Sequence, residues 1–243
     1  YFSDYGSKLA RPGGCGGADL WVTRRATRDD PWLPPENLGP SVNSVSNDSR
    51  PRMSADGLLL FFDSSRPGGF GGKDLWVSPV DGEGEAEAYM ATTYAEVTGE
   101  FSPDGRWIAY STDESGRFEV YVGTFPPGGG KWQISDEGGS QPVWSKDGKR
   151  LYYRIDGGIM VADVELGGDI FRASKPRPAI TGTYVGGLGG VQAGNSFFSD
   201  YDVAPDGSFV LFSGDEMPEG VTTAKLVTGW FSELQRLTSA TGE

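Results

Sequence analysis

A short strand whose odd and even positions are both hydrophobic has no face left for water. Four runs of this chain have that character: LLLFF (58–62), RWIAYS (106–111), KRLYYRI (149–155) and SFVLFS (208–213). In the second, Ile108 and Tyr110 point one way while Trp107 and Ala109 point the other. Each run follows a small residue, a variable one and Asp-Gly: SADG (54–57), SPDG (102–105), SKDG (145–148) and APDG (204–207). Asp-Gly suits a tight hairpin because both residues tolerate positive φ. Ahead of each turn lies another short extended segment, SRPRMS, GEFS, QPVWS and DYDVA in chain order. The turn aspartates Asp56, Asp104, Asp147 and Asp206 stand 48, 43 and 59 residues apart. A period of roughly 45 residues with such turns predicts an all-β chain, a β-propeller of four-stranded antiparallel blades. In that architecture the middle strands of a blade lie between two neighbouring blades, which accounts for two-sided burial.

A second repeat supports this. RPGGCGGADLWV (11–22) recurs as RPGGFGGKDLWV (66–77), an offset of 55 residues. Third strands are predicted at 18–24, 73–79, 118–125, 158–165 and 223–229, and weaker outer strands at 35–39, 87–92 and 131–135. The whole chain reads as one propeller domain of about five blades, 1–40, 41–92, 93–137, 138–182 and 183–243, or six if a segment is missing. Tyr1 already sits in a second strand, so the first blade lacks its inner strand. Another segment closes the ring, or residues upstream complete it. A chain opening on tyrosine also points to a processed or truncated product.

Composition narrows the chemistry. There are 38 glycines and 16 prolines, which fits many tight turns, and 12% aromatic residues, which supply a core. The formal charge of −13 repels phosphate backbones, so nucleic acid is not an expected partner; the plainer reading of that charge is a solubilising coat. No stretch approaches the roughly 18 apolar residues of a membrane span, and membrane insertion is not expected. The chain has no histidine and a single cysteine, Cys15. Imidazole bases, internal disulfides and the usual zinc, copper or iron sites are thereby excluded. No cofactor is expected, although an oxygen-ligated cation such as Ca2+ stays open.

FSPDGRWIAYSTDESGRFEVYV (101–122) resembles the TolB-type, WD-like propeller repeat of bacteria. KWQISDEGGSQPVWSKDGKRLYY (131–153) is similar to the form found in extracytoplasmic segments of bacterial serine/threonine kinases. The RPGG repeats, with DDPWLPPENLGPSVNS (29–44) between them, resemble a subtype common in secreted bacterial proteins, and GWFSELQRL (229–237) resembles the helical tail of kinase-linked members. The resemblance implies a periplasmic or extracellular location and an interaction role. TolB-like oligogalacturonate lyases use a histidine-rich metal site; this chain has no histidine, so their activity does not carry over.

In propellers of this kind the loops entering the inner strands share a face with the loops between second and third strands, and that face holds a ligand funnel. Carried onto this sequence, the funnel would present Asp48, Arg50, Arg66, Glu96, Asp113, Glu114, Arg117, Gln141, Asp200 and Tyr201. The mixture suits a cation, a sugar or a basic peptide; ordinary solvated loop ends have the same composition. Arg11 and Arg66 in the RPGG loops are either arms for a carboxylate or partners of neighbouring acids. Trp21 and Trp76 read as inter-blade core, and Trp32 as a surface-loop residue. The glycine-rich 68–74 segment leads into a strand and lacks the Ser/Thr of a phosphate loop. The expected function is therefore a non-catalytic binding or scaffolding module that docks a protein, peptide or glycan. The alternatives are a carbohydrate-active enzyme using carboxylates or tyrosine and a structural subunit of an extracellular assembly.

Overall fold

The computed structural model describes residues 1–4, 11–81, 84–167, 170–181, 201–204 and 206–211. They belong to one unit, Tyr1–Ser213; Gly214–Glu243 lies outside the described residues. The third strand predicted at 223–229, the helical tail implied at 229–237 and Asp200 also lie outside them.

The strands of the described residues form five sheets in chain order. The first contains β1 (Phe2–Ser3), β2 (Leu20–Val22) and β3 (Glu36–Asn37). The second contains β4 (Asp48–Met53), β5 (Leu59–Ser64), β6 (Asp74–Pro79) and β7 (Glu87–Met90). The third contains β8 (Glu96–Phe101), β9 (Trp107–Thr112), β10 (Glu119–Thr124) and β11 (Lys131–Gln133). The fourth runs β12 (Ser140–Trp144), β13 (Arg150–Ile155) and β14 (Gly158–Gly167). The long β14 carries two partners, β15 (Ile170–Ala173) along its end and β16 (Arg177–Thr181) along its start. The fifth pairs β17 (Tyr201–Val203) with β18 (Phe209–Leu211). All ladders are antiparallel, each blade a meander as the repeats predict. The first blade has no inner strand among the described residues, and no strand pairing among them joins β1 to the last sheet.

The Asp-Gly turns differ from expectation in one respect. Only the glycine is left-handed, with φ of 76° at Gly57, 71° at Gly105, 69° at Gly148 and 84° at Gly207. The aspartate instead uses its carboxylate. Asp56 accepts the Ser54 hydroxyl at 2.6 Å and the Leu58 N–H at 3.0 Å, while the Ser54 oxygen accepts the Leu59 N–H at 2.9 Å. Ser102 with Asp104, and Ser145 with Asp147, repeat the arrangement. In the last blade Ala204 has no hydroxyl, and Ser208 bonds Asp206 from the other side of the turn. These local bonds fix the hairpin that aims each inner strand.

Between the blades lie apolar seams. Trp107 and Ala109 of β9 pack with Leu151 and Tyr153 of β13, while Ile108 and Tyr110 pack with Phe61 and Leu75 of the preceding blade. All four β9 residues are at most 1% exposed, so neither face of the strand meets water. Phe61 contacts Tyr89 and Phe101 edge-on at 5.0 and 5.3 Å. Each such side chain contributes about 1.5–3 kcal/mol by burial. Two further seams, built on Leu20, Leu60, Phe62 and Trp76 and on Val143, Tyr152, Ile159 and Tyr201, join the outer blades.

Each complete inner strand is bulged at one point. Arg50, Thr98 and Gln141 have φ of 57°, 58° and 52°, and the ladders shift register across them. Pro51 and Pro142 follow two of these residues, where the ladder needs no donor. The middle bulge turns the Thr98 N–H toward the preceding blade, where it donates to Asp63 Oδ1 at 3.1 Å. Asp63 is fully buried and ion-paired with Arg50 of its own blade. It therefore ties two bulges together across one seam. Replacing Asp63 with Ala leaves Arg50 buried without its carboxylate; the expected cost is about 3–5 kcal/mol, read as a lower urea midpoint at unchanged m-value.

Candidate functional site

Counting back four residues from each turn aspartate gives Arg52, Glu100, Val143 and Asp202, one in each of four successive inner strands. Three of them, Arg52, Glu100 and Asp202, line a cleft of about 590 Å³ on the turn side of the blades, together with Trp144, Lys146 and Tyr201. Stacked blades bury their side faces in seams, so the inner strands are where polar side chains can gather.

Glu100 is the best-connected of these groups. Its Oε1 accepts the Trp144 N–H at 3.3 Å, and the Trp144 indole N–H donates to the Glu100 carbonyl at 3.2 Å. Arg52 Nε lies 3.9 Å from Oε2. Burial pushes the Glu100 carboxyl up to about 7; the Arg52 and Lys146 cations and the Trp144 N–H oppose the rise, and Asp202 adds to it. Its side chain is still 22% exposed through the mouth. A carboxyl poised near neutral pH in a cleft can exchange a proton with a ligand. Asp202 Oδ1 accepts the Val203 N–H at 2.8 Å.

The residues expected at the funnel are positioned differently. Asp48 is buried and accepts from Ser44, Ser64 and Arg66, the last at 2.8 Å. Arg66 also lies over the rings of Phe62 and Trp76, at 5.0 and 4.8 Å, and donates to the Val42 carbonyl. Arg11 repeats the stacking over Phe2 and Trp21. Arg50 faces buried Asp63, whose carboxyl burial pushes upward against the pull of that cation. Glu96 is buried and accepts the Thr92 N–H and hydroxyl; its burial likewise raises its carboxyl. Asp113 accepts the Ala95 N–H at 2.8 Å, Glu114 pairs with Lys131, and Arg117 bonds Glu119 at 2.6 Å. Gln141 is buried, and its carbonyl accepts the Tyr201 hydroxyl at 2.8 Å. The structure thus brings together Asp48 with Arg66 and Gln141 with Tyr201; Arg50 sits at the β4 bulge, and Glu96, Asp113, Glu114 and Arg117 lie at successive loop ends. Of the set, Tyr201 alone among the described residues lines the axial cleft. Trp21 and Trp76 are buried, while Trp32 is 47% exposed with Arg25 over its ring.

Arg52, Glu100 and Asp202 escaped the sequence reading because no motif unites them; the signal was their common distance from the turns. Among the described residues no three His, Cys, Asp or Glu side chains gather into a metal site, and no helix is long and apolar enough to cross a membrane.

No protein-family model matches the chain, and no curated protein matches it. Solved structures do share its fold. The TolB of Acinetobacter baumannii aligns with a TM-score of 0.55 at 13% identity, covering 90% of this chain and 47% of that one. A structure described as putative TolB from Agrobacterium tumefaciens aligns with a TM-score of 0.50 at 16% identity, covering 87% of this chain and 72% of that one. The chain thus spans about half the length of the first. At such identities the likeness establishes a TolB-like β-propeller fold.

The raised Glu100 carboxyl has a consequence for stability. The folded protein retains this proton between about pH 4.5 and 7, where the unfolded chain has lost it, so stability falls as pH rises through that window. In the difference between wild type and Glu100→Gln, chemical unfolding should show this slope, on the order of 3 kcal/mol in total. A flat difference would contradict the assignment.

Proposed function

We propose that this chain is a non-catalytic, extracytoplasmic binding or scaffolding propeller that docks a protein or peptide segment at its axial mouth. The observation that carries the reading is the cleft itself, where successive blades contribute Arg52, Glu100, Lys146 and Asp202 beside the rings of Trp144 and Tyr201. Mixed charges around aromatic walls suit peptide recognition, which combines polar contacts with apolar burial. The likeness of the repeats to those of secreted bacterial propellers supports the extracytoplasmic location.

A second reading has one observation in its favour. Glu100, held near 7, shares the cleft with Asp202, and a pair of carboxyl groups is what most glycosidases use to cleave a glycosidic bond. Binding of pooled fluorescent peptides and of neutral and acidic oligosaccharides separates the two. The docking reading expects peptide binding that weakens at least about tenfold on Lys146→Glu, with no sugar cleavage. Saccharide turnover abolished by Glu100→Gln would favour the enzyme instead.

A further inference from the structure

If the mouth docks a peptide segment, its charges also select the group of that segment it grips, and the selection rests on the docking reading. Lys146, exposed in the turn after β12, makes no ion pair with a described residue, and among the described residues the one carboxylate paired with Arg52 is Glu100 at 3.9 Å. A chain with a formal charge of −13 therefore holds two under-used cations at one opening. Glu100 bonds the Trp144 N–H through Oε1 and faces Arg52 through Oε2. We propose that this mouth takes up a single carboxylate, gripped by Arg52 and Lys146, with protonated Glu100 as a third donor through its outer oxygen.

The groups facing Glu100 from the neighbouring elements are Arg52 on β4, Lys146 after β12 and Asp202 on β17. The two cations attract an incoming carboxylate, and guanidinium is well matched to it in geometry. Asp202 repels a second negative charge, which limits the site to one. When Glu100 loses its proton it becomes a competing anion beside Arg52, so the ligand is released. With a midpoint of about 7, the mouth binds below neutrality and lets go above it. The carboxylate could be the free end of a peptide or an acidic side chain, which present the same group to the same cations.

Four peptide probes distinguish these cases in the intact chain: acetyl-trialanine with a free carboxylate, its C-terminal amide, acetyl-Ala-Ala-Asp amide and acetyl-Ala-Ala-Lys amide. Binding is read from the Trp144 indole resonance about one pH unit below and one above 7. The free acid should bind roughly tenfold tighter at the lower pH, following the fraction of Glu100 protonated. The plain amide should fail, and equal binding by the Asp probe would identify a side-chain carboxylate as a second source. Glu100→Gln, which keeps a donor but cannot ionise, should retain binding and lose its pH dependence. Lys146→Ala, a change at an exposed position whose circular dichroism should match that of the wild type, should weaken binding about tenfold at both pH values. Equal binding of acid and amide would overturn the carboxylate assignment and leave docking standing. A Lys probe that binds better at the higher pH would replace it with a cation site. Perturbation by none of the probes would overturn both the carboxylate assignment and peptide docking.

Discussion

Because the middle strands of this chain have no solvent face, each blade needs a neighbour on both sides. Trp107 and Ala109 require β13, and Ile108 and Tyr110 require β5 and β6. Stability in such an array is a sum over seams, with little held inside a single sheet. The same constraint decides where chemistry can occur. Side faces are consumed by the seams, so polar side chains collect at the loop ends and along the innermost strands, and those strands line the mouth.

The seams are not wholly apolar, and their polar members follow a pattern. A carboxylate fastens the loop that enters each complete inner strand. Asp48 does so by accepting from Ser44, and Glu96, 48 residues on, by accepting from Thr92. In the next blade the corresponding residue is Gly139, where a Cβ would meet Ser135 and Tyr153 within 3.0 Å. There Glu119 supplies the carboxylate from β10 instead, accepting the Gly138 N–H and the Ser135 hydroxyl. Buried carboxylates without such partners would be costly, which explains why the bonding is kept while the residue moves.

Much of this was legible in the residues. Alternation in RWIAYS placed its side chains in two seams, and the Asp-Gly repeats located the hairpins because their chemistry is local to four or five residues. The bulges were not legible, since Arg50, Thr98 and Gln141 share no residue type and their partners, Asp63 for the first two and Tyr201 for the third, are distant in sequence. Nor was the transfer of a carboxylate from strand to strand, which depends on contacts across the sheet. The funnel residues were chosen from loop position and composition, and burial binds several of them to structural partners. The mouth residues became visible only once register, counted from the turns, showed which side chains meet.

The central claim is that the mouth is built around Glu100 as a carboxyl poised near neutrality. Carbon-13 NMR of the Glu100 side-chain carboxyl, followed through a pH titration of the free protein, measures this directly. A midpoint of about 7 is predicted. A midpoint at the ordinary glutamate value of about 4.3 would contradict it and leave the cleft with an ordinary surface acid.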